Sequence, residues 1–126
     1  MIGYVTLGTN DLPRAVRFYE QLLTLFEVKR GFESDRFILW YPSKPGRPGL
    51  GVIKPHDGKA ATIGNGGMVA LGVDSTTKVD QIHKKAMELG SKDEGAPGPR
   101  GGGFYGAYFR DLDGNKLCVF TMVRDQ

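Results

Sequence analysis

Arginine and tyrosine side chains gather near the carboxyl-terminal end of the sequence, where they could recognise an anion. Arg100 follows Gly98-Pro99, and Tyr105, Tyr108 and Arg110 come shortly after it. A guanidinium can hold a carboxylate or a phosphate through parallel hydrogen bonds. Tyr105 and Tyr108 fall on opposite faces of a strand, so only one of them can point into a ligand cavity. The alternative interpretation is a surface arginine and a core tyrosine.

Cys118 and Tyr4 are the candidates for catalysis, as a nucleophile and a general acid respectively. A reactive thiol needs a base or a positive charge that lowers its pKa, and Lys116 on the same strand face is the local candidate. We favour an inert buried thiol. Catalysis requires an acid and a base that converge on one substrate atom, and the sequence shows no such partner beside either residue.

The two histidines and one acidic turn are better explained by structure. His83 lies beside the apolar stripe of a predicted helix, which favours a hydrogen-bonded structural role, and His56 follows a proline in a polar connection. The segment Asp111–Asn115 lacks the third acid and the bidentate Glu of a calcium loop. The segments with glycines at 64, 66 and 67 and at 101–103 lack the Lys-Ser/Thr of a phosphate-binding loop, so we interpret them as rim loops.

The acidic turn instead predicts a hairpin. Aromatic and β-branched residues flank it on both sides in the run FYGAYFRDLDGNKLCVF, from Phe104 to Phe120. Asp-Gly between such runs is a strong hairpin signal, because Gly and Asn tolerate the positive φ of tight turns. Leu117 and Val119 alternate with Cys118 and Phe120, so we expect this strand to be covered on both faces, by a helix on one and by a cavity on the other.

The first half of the chain reads as strand, helix and three strands. Asp11 is a predicted helix cap, and the apolar spacing from Ala15 to Phe26 predicts an amphipathic helix. The predicted strands are Ile2–Leu7, Phe26–Phe32, Arg36–Tyr41 and Leu50–Lys54, with Gly31, Ser34-Asp35 and Pro42–Gly49 as separators.

The pattern then repeats. Gly67–Gly72 echoes Gly3–Gly8, and the same offset along the chain persists into the following helix. A second helix is predicted from Thr77 to Leu89, with Gly90 as a left-handed cap. A weak strand at Ser91–Glu94, a loop at Gly95–Gly103 and the hairpin complete the second copy.

The repeat predicts the fold class α+β, with two βαβββ modules that form a cupped eight-stranded mixed β-sheet and one helix per module on the outer face. We expect one domain over residues 1–126, made of module 1–56 and module 67–126 joined by a Gly-rich linker, 57–66. The aliphatic faces of the strands should lie under the helices. The mixed faces, with Tyr4, Met68 and Cys118, should line the concave side.

Composition excludes several classes of function. The basic and acidic residues, 17 and 14 in number, are well mixed, so nothing resembles a nucleic-acid-binding stripe. No apolar run approaches the ~20 residues of a membrane span. A single cysteine excludes an intramolecular disulfide and fits a reducing compartment, so we expect a cytoplasmic protein.

Three motifs together resemble one family, the vicinal oxygen chelate superfamily of glyoxalases, bleomycin-resistance proteins and extradiol dioxygenases. They are Asn10-Asp11-Leu12 between strand and helix, the closing Asp111–Lys116 hairpin, and the segment Gly95–Arg100, which looks like a glyoxalase-like subgroup. The resemblance covers nearly the whole chain. It implies the cupped two-module fold and, often, a homodimer, but it does not specify a reaction, since the family includes isomerases, lyases, dioxygenases and drug-binding proteins.

The resemblance also locates the metal ligands of the metal-dependent members. Their three main positions fall on Tyr4, Met68 and Cys118, and a fourth falls near Gly51–Ile53. These residues depart from the His and Glu of the family at every position, and divalent metals need imidazole, carboxylate or thiolate donors that converge on one point. We therefore expect no metal ion and no cofactor.

The sequence thus favours a metal-independent protein that binds a small amphipathic or anionic molecule in its cavity. The predicted ligand-binding residues are Tyr4, Met68, Arg100, Tyr108, Cys118 and Phe120. The alternative is a glyoxalase-like lyase or isomerase, or a dioxygenase-related enzyme, that uses Tyr4 and Cys118 or an atypical metal site.

Overall fold

The chain folds as two copies of one βαβββ unit. The computed structural model describes residues 1–124, which divide into unit 1, Met1–Ile63, and unit 2, which begins at Gly64. The elements of unit 1 are β1 (Tyr4–Gly8), α1 (Leu12–Leu22), a 3₁₀ turn (Leu23–Phe26), β2 (Val28–Glu33), β3 (Phe37–Pro42) and β4 (Gly49–Ile53). Those of unit 2 are β5 (Val69–Gly72), α2 (Thr76–Glu88), β6 (Lys92–Pro99), β7 (Phe104–Arg110) and β8 (Lys116–Met122). The predicted α+β class with two βαβββ repeats is confirmed.

The eight strands divide into two four-stranded mixed sheets with the same topology. The strand order is β1-β4-β3-β2 in unit 1 and β5-β8-β7-β6 in unit 2. In each sheet the first strand pairs in parallel with the last, and the other neighbours are antiparallel. In residues 1–124, no helix has the length and the apolar character that a membrane crossing needs.

Helix α1 begins as predicted and ends earlier than predicted. The Asp11 carboxylate accepts a hydrogen bond from the Arg14 amide, and Pro13 lies in the first turn, where its missing N–H costs nothing. The predicted continuation to Phe26 is wrong, because the chain tightens into the 3₁₀ turn after Leu22. Glu27 then adopts a left-handed conformation with a φ of 52°, so β2 begins at Val28.

Helix α2 packs against β6, β7 and β8. Ser75 caps its first turn, and Gly90, with a φ of 99°, ends it in the predicted left-handed conformation. The side chains that α2 buries are Val79, Ile82, His83 and Ala86. The sheet supplies the wholly buried Ala107, Phe109, Leu117 and Val119.

Three predicted boundaries are wrong. The first strand is Tyr4–Gly8 rather than 2–7, and Gly31 does not end β2 but lies inside it at a register shift. The predicted loop from Gly95 forms a strand as far as Pro99, because β6 stays paired with β7 through two irregularities. β-Bulges of this kind accommodate residues that would break a regular ladder.

Each sheet has a face that its helix covers and a face turned away from it, which we call helix-proximal and helix-distal. In unit 1, the helix-proximal face carries Ile38, Trp40, Leu50 and Val52, and all four side chains are buried. In unit 2, Phe109 and Leu117 are paired on the helix-proximal face. Because side chains alternate along a strand, Tyr108 and Cys118 are paired on the helix-distal face.

Candidate functional site

The register of β7 decides between the two tyrosines of the carboxyl-terminal run. Tyr105 lies on the helix-proximal face, and its hydroxyl donates a 2.7 Å hydrogen bond to the Asp80 carboxylate on α2. That bond is the main reason why the pKa of Tyr105 is raised, with burial as the second. Tyr108 lies on the helix-distal face, beside Cys118. Tyr108 is therefore the tyrosine available to a ligand on that face.

Arg100 is held against the Tyr108 ring. Its guanidinium carbon lies 5.6 Å from the ring centroid. This separation is within the range of a cation–π interaction. The guanidinium also donates hydrogen bonds to the carbonyls of Ala96 and Pro99. A Cβ on Gly98 would lie 3.0 Å from a guanidinium nitrogen, so the glycine leaves room for this side chain.

A turn of three glycines fixes the backbone at this point. The residues between Arg100 and Phe104 are Gly101, Gly102 and Gly103, with φ values of 98°, 62° and 84°. Left-handed backbone is readily available only to glycine. The Arg100 amide donates a 2.7 Å hydrogen bond to the Phe104 carbonyl, which closes the turn. Arg100 thus stands at a defined place at the end of β6.

Lys116 is a site residue that the sequence interpretation did not include among the ligand-binding residues. Its Nζ lies 5.5 Å from the same Tyr108 centroid, so Tyr108 has two cations beside its ring. The signal was present in the sequence, because Lys116 and Cys118 are two apart and share a strand face.

Cys118 is wholly buried beside Tyr108. Burial raises the pKa of its thiol, because a thiolate loses hydration there. A hydrogen bond with Tyr108 and the charges of Arg100 and Lys116 act in the opposite direction and offset part of this rise. Because nucleophilic attack requires the thiolate, this environment does not favour Cys118 as a nucleophile.

On the helix-distal face of unit 2, the pair next to Tyr108 and Cys118 is Gly106 and Phe120, and the face is apolar there. Phe120 follows Cys118 on β8, and its ring stacks on that of Phe104 with centroids 4.9 Å apart and 7° between the planes. Gly106 lies between Phe104 and Tyr108 on β7. A Cβ on Gly106 would lie 2.6 Å from the Phe104 ring, so that ring lies across the glycine.

Two further charges lie at the other end of this face. Arg110 donates to the Glu94 carboxylate and to the Gly114 carbonyl, at 3.1 Å in the latter case. The bond from Arg110 is the main reason why the pKa of Glu94 is lowered. Because Arg110 and Glu94 neutralise each other, Arg100 and Lys116 leave this face with an excess of positive charge.

Two predicted site residues remain, Tyr4 in unit 1 and Met68 in unit 2. Tyr4 lies on the helix-distal face of unit 1, and 56% of it is exposed. Met68 immediately precedes β5 in unit 2 and is 46% exposed. Of the six predicted ligand-binding residues, Arg100, Tyr108, Cys118 and Phe120 therefore lie together on one sheet face of unit 2.

Unit 1 presents a different helix-distal face. The Tyr41 ring lies between Gly31 and Gly49, where added Cβ atoms would approach it to 2.4 Å and 2.7 Å. Leu39 lies over Gly51 in the same way. Trp40 faces the helix, where its indole N–H donates a 3.1 Å hydrogen bond to Glu20.

The donor chemistry of the family's metal positions does not fit a divalent ion. A phenol at 4, a thioether at 68 and a thiol at 118 offer no imidazole and no carboxylate, and the thiol is the one side chain of the three that could become a good anionic ligand of Zn, Ni or Fe. Within residues 1–124, no three His, Cys, Asp or Glu side chains converge as a ligand set. We therefore derive no step through a metal.

His83 and Asp111 have structural partners. His83 Nε2 lies 3.1 Å from the Asp93 carboxylate, and this carboxylate also accepts the Gly95 amide at 2.9 Å, beside the bulge in β6. The Asp111 carboxylate accepts the amides of Asp113 and Asn115, both at 2.9 Å, and thereby closes the hairpin turn.

The two-module α+β fold agrees with one protein family. The chain belongs to the Glyoxalase/Bleomycin resistance protein/Dioxygenase superfamily, whose family model matches residues 1–119. This confirms the family resemblance of the sequence motifs. No curated protein matches the chain.

Solved structures of the same superfamily cover nearly the whole chain. A glyoxalase/bleomycin resistance protein from Albidiferax ferrireducens T118 is 31% identical with a TM-score of 0.85, and the alignment covers 96% of this chain and 98% of that one. A family enzyme from Burkholderia phytofirmans PsJN is 20% identical, with a TM-score of 0.73 and coverages of 96% and 98%. A glyoxalase-related enzyme from Fulvimarina pelagi is 20% identical, with a TM-score of 0.75 and coverages of 96% and 87%. The last two show similarity of fold alone.

Proposed function

We propose that this protein binds a small amphipathic or anionic molecule without the help of a metal ion. One observation supports this most directly: two cations, Arg100 and Lys116, stand beside the Tyr108 ring. Within residues 1–124, neither of them forms an ion pair. Cations without a carboxylate partner, next to an aromatic ring, are suited to an anion that also has an apolar part.

The proposed binding residues on the helix-distal face of unit 2 are Arg100, Tyr108, Cys118 and Phe120, and Lys116 is added to them; Tyr4 in unit 1 and Met68 before β5 stay predictions from the sequence. We propose that they act within one domain of residues 1–126, in which modules 1–56 and 67–126 are joined by the linker 57–66. Family membership supports this arrangement, because the family model matches residues 1–119 without division.

Binding is favoured over catalysis by the chemistry of Cys118 and Tyr108. The pKa of the Cys118 thiol is raised by burial, and no His, Asp or Glu is among the groups that act on it. Tyr108 and Lys116 are titratable, but general acid–base catalysis at Cys118 would also need a base that accepts the thiol proton, and neither a carboxylate nor an imidazole is among these neighbours. A glyoxalase-like lyase or isomerase would need a base from residues other than these neighbours of Cys118.

A ligand screen by thermal denaturation tests the binding function. We expect small organic acids with an apolar body to raise the melting temperature of the wild-type protein, since a ligand that binds the folded state stabilises it by RT ln(1 + [L]/Kd). Tyr108→Ala should abolish this shift. Tyr105→Phe, on the helix-proximal face, is the matched control and should keep it. Equal shifts in both variants would refute binding at Tyr108.

Elemental analysis of the purified protein tests metal independence. We expect no stoichiometric metal, and no stabilisation on addition of Zn, Ni, Mn or Fe(II). A shift that follows the binding equation for one ion would overturn this part of the proposal. Its loss in Cys118→Ser would assign the ion to the thiol.

Assembly as a homodimer and a cytoplasmic location are part of the same proposal, and family membership is their support. Light scattering coupled to size-exclusion chromatography tests the first, with twice the 13.8 kDa chain mass as the expected result. Fractionation of the producing cells tests the second.

A further inference from the structure

We infer that the ligand of unit 2 is a flat apolar molecule with one negatively charged group at one end, held between the Arg100–Lys116 pair and the Phe104–Phe120 stack. This inference rests on the binding function proposed above and specifies the class of its ligand.

The polar end is prepared for an anion before any ligand arrives. A guanidinium has five N–H donors, and the hydrogen bonds of Arg100 to Ala96 and Pro99 use two of its nitrogens while holding the group in place. Lys116 adds three donors, and it lies against the same ring as Arg100. A side chain that is already ordered loses less conformational entropy when it binds.

The nearby acid, Glu94, offsets only part of the positive charge at this end. Glu94 is engaged by Arg110, which also donates to the Gly114 carbonyl. The charge of Lys116 also acts on Glu94, so an anion at Tyr108 would meet three cations, Arg100, Lys116 and Arg110, with one carboxylate to offset them. Charge-assisted hydrogen bonds to such groups are roughly twice as strong as neutral ones.

The apolar end is flat. The rings of Phe104 and Phe120 are nearly parallel, and both are half-buried, so part of the stack is accessible. A planar ring can extend such a stack in an offset arrangement. The Phe104 ring lies over Gly106, which is two residues from Tyr108 on β7, or about 7 Å of strand.

Between the two ends, the strand surface at Gly106 is covered by the flat Phe104 ring. Gly106 itself has no side chain. Cys118, its diagonal neighbour on β8, is small and wholly buried. A ligand of two fused or linked rings with a terminal anionic group would reach from the phenylalanine stack to the cations.

Two probes with the same ring system test the charge requirement. Anilinonaphthalenesulfonate carries one sulfonate, and N-phenylnaphthylamine has the same rings without it; both become fluorescent in apolar sites. We expect the sulfonate to bind the wild-type protein at least ~10-fold more tightly than the neutral probe, since a hydrogen-bonded charge contributes about that factor or more. Added salt should reduce this preference.

Three variants assign the preference to residues. Arg100→Gln and Lys116→Gln should each weaken the sulfonate about tenfold and leave the neutral probe unchanged. Lys84→Gln, an equal loss of charge on the exposed side of α2, should change neither. Amide chemical shifts of Gly106 and Cys118 should move on binding, and those of α2 should not.

The outcomes separate the ligand class from the binding function. Equal affinities for the two probes, with Arg100→Gln and Lys116→Gln both without effect, would overturn the anionic class and leave binding intact. Shifts confined to α2 would overturn the site. Failure of both probes to bind at millimolar concentration would overturn the inference and the binding function together.

Discussion

The helix-distal faces of the two units share a packing device and differ in charge. In unit 1, the Tyr41 ring lies between Gly31 and Gly49; in unit 2, the Phe104 ring lies over Gly106. Glycines let aromatic rings lie flat on both sheets. Only in unit 2 is the aromatic surface joined by two cations beside one ring, Arg100 and Lys116 at Tyr108, among the residues that the structure describes. The repeat therefore provides two similar scaffolds, and the recognition chemistry is concentrated in the second.

The helix-proximal faces show a second contrast. Unit 1 ties its helix to the sheet through Glu20, which accepts two 2.8 Å hydrogen bonds from Arg30 and a third from Trp40. Unit 2 uses two separate pairs, Tyr105 with Asp80 and His83 with Asp93. The same helix-on-sheet arrangement is thus fixed by unrelated polar contacts in the two copies.

The largest expected effect is on the core of unit 2. Phe109→Ala should lower the free energy of unfolding by about 3–5 kcal/mol, because Phe109 is wholly buried under α2 and its removal leaves a cavity. Phe32 in unit 1 is 58% exposed and stacks on Phe37. Phe32→Ala should therefore cost about 1.5 kcal/mol or less, the contribution of one aromatic pair. Urea denaturation measures both, and similar losses would contradict the difference in burial between the two rings.

A smaller loss of stability is expected from a substitution at the glycines of unit 1 that the Tyr41 ring contacts. The Cβ of an alanine at Gly49 would lie 2.7 Å from the Tyr41 ring and 3.0 Å from the Trp40 carbonyl. Gly49→Ala should therefore cost about 1–3 kcal/mol. Gly64→Ala is the control, as nothing lies within 4 Å of its Cβ. Thermal denaturation gives the difference, and near-ultraviolet circular dichroism should report a displaced ring in Gly49→Ala. An unchanged spectrum would contradict the flat packing of Tyr41.

Acid should weaken both helix attachments, through different carboxylates. The hydrogen bond from Arg30 lowers the pKa of Glu20 below its ordinary 4.5, and the Gly95 amide followed by His83 lowers that of Asp93 below 3.8. A carboxyl whose pKa is lower in the folded state contributes stability above its unfolded pKa. That contribution is lost as the pH falls through the lowered value.

Glu20→Gln should therefore flatten the fall in stability below pH 4.5, and Asp93→Asn should do so below pH 3.8. Glu88→Gln is the control, because within residues 1–124 its carboxylate makes no hydrogen bond or ion pair. Urea denaturation between pH 2 and pH 6, about two units either side of the ordinary carboxyl pKa, measures the curves. Curves parallel to wild type in both variants would show that neither carboxylate carries this dependence.

The smallest expected effects concern the residues that end the helical segments. Glu27 in unit 1 and Gly90 in unit 2 both adopt a left-handed backbone, with φ values of 52° and 99°. Glu27→Gly should stabilise the protein by up to about 1 kcal/mol, and Gly90→Ala should destabilise it by about 1 kcal/mol or more. Thermal denaturation of the two variants should give shifts of opposite sign. Shifts of the same sign would show that the left-handed backbone does not determine the effect at both positions.

Much of the fold could be predicted because its signals are local. The apolar spacing of Ala15, Phe18 and Leu22 indicated α1, and Asp-Gly between β-rich runs indicated the β7–β8 hairpin. Strand β6 could not be predicted to its full length. Its Gly and Pro residues indicate a turn in isolation, and only pairing with β7 through bulges keeps them in a strand.

The candidate site was predictable in part for the same reason. Strand alternation put Tyr108 with Cys118 and Tyr105 opposite, but it did not say which face α2 covers. The bond of Tyr105 to Asp80 supplies that information. The sequence did not indicate Lys116 as a binding residue. Lys116 and Arg100 both lie beside the Tyr108 ring, and the spacing of residues in the sequence does not reveal this shared contact.

The parallel strand pair of each unit has a consequence for the order of folding. Tyr4 pairs with Gly49 and Val69 pairs with Leu117, so each parallel pair joins the beginning of its unit to a strand that lies far along the chain. Each hairpin, by contrast, closes a short loop. Because closing a longer loop costs more chain entropy before any contact forms, the hairpins should assemble early and β1 and β5 should join last. The sheet of each unit would then be complete only when its first strand pairs, and in unit 1 that strand includes Tyr4.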